Sequence, residues 1–259
     1  MLFIAFNSSC KLPVDSYMRE VNSMSDPIVI TYCFNFDDGR DKTFSIQLDR
    51  ETLDCSSGDV NDVPEWANLS YNKCTNCPLS ENDNKYCPVA LNLNNLTEKF
   101  FSIYSHERVF VVVTTEDRTY KKRTTVEEAL GSLMGIIMVT SGCPVLDHLR
   151  PMARFHLPFS SPLETSIRSL SMYILAQYLF NKNTESNSIN IDLSDFEKIY
   201  AEISNVNNDF SKRLRAAGEK DANLSALTNL DCNATLVSFT IEDTLNELKQ
   251  YYSAYNGEL

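Results

Sequence analysis

Apolar and polar positions change their rhythm near the middle of the chain. From Pro27 to Phe36 the run PIVITYCFNF is β-branched and aromatic, and TFSIQLDR (43–50) alternates apolar with polar beyond a turn at Gly39. Two such runs across a glycine turn predict a β-hairpin. ETLDCS (51–56) offers a third short strand. CPVALNLNNLTEKFFSIY (87–104) has helical spacing, with Cys87 at the N-cap and Pro88 at the first helical position, where a missing N–H loses no hydrogen bond. ERVFVVVTTEDRTYKKR (107–123) then reads as another strand pair.

The second half is written in helical period. TTVEEALGSLMGIIMVTSG (124–142) opens with a Thr125…Glu128 capping box and stops near Gly142. CPVLDHLRPMARF (143–155) predicts a short helix broken near Pro151. SPLETSIRSLSMYILAQYLF (161–180) carries a second capping box, Ser161…Glu164, with Pro162 at the first helical position. Residues 193–221 and 226–252 supply two long amphipathic helices without a sustained heptad, the pattern of a bundle.

Strands first and helices afterwards predict an α+β fold: a small, mainly antiparallel sheet with one helix, followed by a helical bundle-like half. Residues 24–123 form the β-rich part and 124–259 the helical part, packed together as one unit. Residues 1–23 show little periodicity and read as a dispensable extension, with Met24 as an alternative start to Met1.

Composition narrows the function classes. A net charge of −12 over 259 residues repels phosphate backbones and anionic membrane surfaces, so no nucleic acid or membrane partner is expected; a protein partner or a homo-oligomer stays open. The apolar run in MLFIAFNSSC has no Lys or Arg before it, and no window reaches the roughly 18 apolar residues of a membrane span. The expectation is a cytoplasmic protein with reduced thiols and no disulfides. Gly is scarce at seven residues and no phosphate-cradling glycine loop occurs.

The eight cysteines carry the chemistry. Cys74-x-x-Cys77 can present two thiolates to one ion from a tight turn. Cys87 follows as a third, and Cys143 repeats its grammar, a Cys at an N-cap followed by Pro. A helix start lowers thiol pKa, and thiolate is the ligand form. Cys74, Cys77, Cys87 and Cys143 are therefore read as a four-thiolate metal site, with His148 as substitute fourth ligand. The Cys-Pro context favours a [4Fe–4S] cluster slightly over zinc. Two plainer readings compete: buried thiols that merely start helices, and a redox dithiol, which lacks a thioredoxin-like βαβ setting. Cys33 and Cys232 read as core packing.

A second constellation lies in DHLRPMARFHLPF (147–159). Arg150 and Arg154, with His148 and His156, could bind a small anionic ligand through bidentate hydrogen bonds. In that case the protein is an enzyme and its cysteines are only structural. The plain alternative is that these arginines pair with nearby acids, and that Leu149, Met152 and Phe155 lean toward the core.

Over about residues 85–180 the chain resembles an uncharacterised bacterial family, a domain of unknown function. The resemblance rests on CPVALNL (87–93), TSGCPVLDHLRPMARFHLPF (140–159) and ETSIRSLSMYILAQYLF (164–180). It implies no activity and assigns no residue a role.

Overall fold

Strand β1 (Ile28–Phe36) and strand β2 (Asp41–Leu48) form the expected hairpin, with Gly39 at φ 89° in the turn. A residue with a side chain is strained in that region of backbone space, which is why glycine stands there. The computed structural model describes residues 26–55, 63–181, 193–218, 221–239 and 241–255. The 1–23 extension read from the sequence lies outside the described residues. Strands β3 (Arg108–Thr114) and β4 (Thr119–Thr125) complete a four-stranded antiparallel sheet in the order β2-β1-β3-β4. Ile28, Ile30, Tyr32, Phe34 and Phe36 bury alternate positions of β1 on one face. At one edge, β4 exposes Lys121, Lys122 and Arg123, charges that discourage further strand pairing.

ETLDCS does not become a strand. It makes a single bridge, Leu48 to Cys55, because the Asp49 carboxylate accepts from the Glu51 and Thr52 amides at 2.9 and 2.7 Å and turns the chain. The local side-chain bonds outcompete the ladder.

Helix α1 (Pro88–Phe100) begins at N-cap Cys87 with Pro88 first, as the sequence predicts. Helix α2 (Val126–Val139) is buried on nearly every side and is the central post of the molecule. Its Thr125…Glu128 box is not made. Thr125 makes no side-chain cap, and Glu128 is instead held by Thr124 and Lys122. Beyond Gly142, at φ 87°, a 3₁₀ turn (Leu146–Leu149) runs into the short helix α3 (Arg150–Arg154), so the break falls beside Pro151 as expected.

Helix α4 (Pro162–Asn181) does make its capping box: the Ser161 amide donates to Glu164 at 2.8 Å and the Glu164 amide to Ser161 Oγ at 3.2 Å. Helix α5 (Leu193–Ala216) is one long amphipathic element. The last predicted helix is two, α6 (Asp221–Phe239) and α7 (Ile241–Lys249), followed by a 3₁₀ segment, Gln250–Tyr255. Helix α6 packs on α2 and α5. A Cβ on Gly131 would lie 3.3 Å from the Ala226 carbonyl oxygen of α6, so glycine lets the two backbones approach. The buried side chains of sheet and helices form one core, and the chain is an α+β protein.

Candidate functional site

The Cys74–Cys77 turn is closed by the Cys77 amide donating to the Cys74 carbonyl at 3.1 Å. It is docked on α5 from both sides. Thr75 donates through its amide and its hydroxyl to Asp209 at 2.8 Å each, and Asn76 donates to the Glu202 carbonyl and carboxylate at 2.9 and 2.6 Å. The Cys87 amide bonds the Ala67 carbonyl at 2.8 Å; its side chain makes no cap hydrogen bond, although the nearby amides of Val89 and Ala90 work to lower its thiol pKa. The expected N-cap role of Cys143 is not met: the 3₁₀ turn that follows starts from Val145, and Cys143 accepts the Asp147 amide through its carbonyl at 3.0 Å. The amides of Val145 and Leu146 nevertheless work to lower its thiol pKa.

The four thiols lie close enough for their charges to interact. Burial pushes the Cys74 thiol up to about 12, helped by Cys87 and Cys77. Burial likewise raises Cys87 and Cys143, and Cys77 adds to each. Against this, the Arg213 guanidinium of α5 lowers Cys74 and Cys87. Arg213 is 1% exposed and donates to the carbonyls of Trp66 (2.8 Å), Asn68 (2.7 Å) and Leu69 (3.2 Å), while its Nε finds no partner among the described residues. Among the described residues it makes no ion pair, and no three His, Cys, Asp or Glu side chains stand grouped as metal ligands.

The other cysteines depart from the expected plan in two places. Cys33 is buried in β1 but is disulfide-bonded, contrary to the expectation of no disulfides. Cys232 is exposed on α6 and does not pack in the core.

A cavity of about 570 Å³ opens between α2, α4, α5 and α6, floored by the 3₁₀ turn and α3. His156 is on its wall. The Tyr32 hydroxyl stands 2.5 Å from His156 Nε2 and 2.9 Å from Ser132 Oγ. Burial and then Arg168 push the imidazole down to about 3, so it is neutral. Burial also raises Tyr32, which keeps its proton, so the hydrogen bond to Nε2 joins two neutral groups.

The other three anion-binding candidates do not line the cavity. Arg150 pairs with Asp147 and with Asp54 at 3.0 Å, and donates to the Thr52 carbonyl at 3.0 Å. That is the plain reading of its charge. Arg154 is exposed and stacks on Phe155, whose own side chain points to solvent at 61% exposure rather than to the core. His148 is exposed, its Nδ1 3.1 Å from the Val145 carbonyl oxygen.

The residues that the sequence reading misses are Arg213, Arg168, Asn207 and Tyr32. A signal exists for two of them. Ile203, Val206, Phe210 and Leu214 define the buried stripe of α5, and Asn207 and Arg213 fall on it. Polar residues at core positions of a helix mark buried polar sites.

Fold and site together define an α+β protein with partly buried thiols and a ligand-sized cavity. The chain belongs to the family described as a domain of unknown function (DUF6901), whose model matches residues 30–253. No curated protein and no solved structure matches it.

Proposed function

We propose that the protein is a metalloprotein in which Cys74, Cys77, Cys87 and Cys143 hold a metal centre, a [4Fe–4S] cluster ahead of zinc, in a structural, sensory or regulatory role. The observation that carries this reading is Arg213, a cation 1% exposed beside these thiols and without a carboxylate partner among the described residues. A buried charge left unpaired costs several kcal/mol, of order 3–5 when a partner is removed. A four-thiolate centre carries formal negative charge and balances it. Neutral thiols do not.

The Cys-Pro context places the cluster ahead of zinc. Four thiolate ligands leave no open metal position, which argues for structure or state-switching over metal-centred hydrolysis.

The test is elemental analysis and visible absorption of anaerobically purified protein, with Cys77→Ser and, as control, Cys232→Ser. Iron with acid-labile sulfide, lost together with thermal stability in Cys77→Ser alone, is the expected result, since metal binding and folding are linked. One zinc per chain would keep the thiolate site and replace the cluster. Neither metal after reconstitution sinks the proposal.

A further inference from the structure

The cavity carries an inference of its own. Its walls are mostly aliphatic, and its volume of about 570 Å³ falls within the usual range for small-molecule sites. Two polar groups in it keep hydrogen-bonding capacity unused among the described residues. Arg168 is half-buried; its Nη2 donates to the Phe155 carbonyl at 2.7 Å and, weakly, to that of Met152 at 3.4 Å. Its remaining N–H groups have no acceptor among the described residues, and it makes no ion pair there.

The carboxylates in the lining are already engaged. Glu128 is bound by Lys122 and Thr124, and Glu164 accepts from the amide and hydroxyl of Ser161. The second unpartnered group is Asn207, 4% exposed, whose side-chain amide makes no hydrogen bond among the described residues. Its amide atoms open onto the cavity, where two donors and an acceptor are available to a ligand.

The positions of the two groups describe a ligand. Tyr200, Ile203 and Asn207 line the cavity from one face of α5. Arg168 lines it from α4. On α5, Asn207 is two turns beyond Tyr200, about 10 Å at 1.5 Å per residue. Between them the surface is apolar: Ile203 on α5, with Ile136 and Leu230 opposite.

We infer that this cavity binds an elongated monocarboxylate whose head pairs with Arg168 and whose far end bears a neutral hydrogen-bonding group facing Asn207. The head gains a charge-assisted bidentate bond. The apolar body displaces water from aliphatic walls. The distal hydroxyl or carbonyl satisfies the amide that the fold leaves open.

Isothermal titration with decanoate, its ω-hydroxy derivative and decanol tests each part on the intact chain. Saturable one-to-one binding is expected, tightest for ω-hydroxydecanoate and weakest for decanol. Arg168→Gln should weaken both carboxylates by about tenfold or more while leaving decanol unchanged, and Arg168→Lys should recover part of the loss. Asn207→Leu should erase the advantage of the ω-hydroxyl and spare decanoate. Failure of all three probes to bind overturns the inference. So does decanol binding as tightly as decanoate, or Arg168→Gln without effect in a folded variant. Equal binding of decanoate and its ω-hydroxy derivative removes the role given to Asn207.

Discussion

His156 owes its properties to what surrounds it. Removed from water and close to Arg168, its imidazole is held neutral and shares a hydrogen bond with Tyr32. An unfolded chain would take up a proton there below about pH 6.5, whereas the folded chain resists until about 3. The contribution to stability is therefore present above the unfolded value and is lost as the pH falls toward the folded one. A shift of that size corresponds to something on the order of 5 kcal/mol. His156→Gln keeps a hydrogen-bonding partner for Tyr32 without the titration. Urea melts at neutral pH and near pH 3 should show a smaller acid loss for this variant than for the parent, beyond the loss from carboxylates that both share. Arg213 is the counterpart at the thiol centre, a charge whose worth depends on the state of the sulfurs beside it.

At the scale of elements, two helix starts with the same sequence signature behave differently. Ser161 and Glu164 exchange bonds with each other's amides, because Pro162 fixes the first helical residue and Ser161 is free of any strand. Thr125 is still the last residue of β4, paired with Arg108, so its backbone serves the sheet and Glu128 turns to Lys122 and Thr124. Ser161→Ala should cost about 1 kcal/mol in chemical denaturation, an ordinary cap loss. Thr125→Ala should cost clearly less. The same contrast explains why the Cys87–Pro88 step is readable in the sequence: Cys87 stands just outside any strand, where no ladder claims it. The amides that follow are the open donors of a helical turn.

At the scale of the whole molecule, α5 joins the two sites. Through Asp209 and Glu202 it holds the Cys74–Cys77 turn, with Arg213 it supplies the buried charge, and with Tyr200 and Asn207 it lines the cavity. The thiols themselves predict a pH response. Cys74, Cys87 and Cys143 all have raised values when the sulfurs carry protons, chiefly through burial. The unfolded chain ionises near 9 and the folded one later, Cys74 at about 12. Metal-free protein should therefore keep full stability below about pH 9 and lose it as the pH rises from there toward about 12. Protein loaded with the proposed metal would hold the sulfurs as thiolates already and should lack that loss. Thermal melts of the two forms across this window check the difference, and the buried Tyr32 and Tyr200 contribute equally to both.

The hairpin at Gly39, the helix starts at Cys87–Pro88 and Ser161–Pro162 and the break beside Pro151 were determined by the sequence alone, whereas the turn after Cys143 starts from Val145. Each depends on residues within a few positions of one another, where backbone stereochemistry and capping decide. The four cysteines could be picked out for the same reason, since Cys-x-x-Cys and Cys-Pro are local patterns. Which partners they would meet was not legible. Thr75 and Asp209 are 134 residues apart, and only the crossing of α5 over the cysteine turn brings them together. Nor could the pattern of α2 say that Gly131 is there to admit the α6 backbone, or that Arg150 would be taken up by Asp54 while Arg168, near the Glu164 charge, forms no ion pair among the described residues. Such assignments follow from how helices cross and where loops return, and those are settled by packing of the whole core.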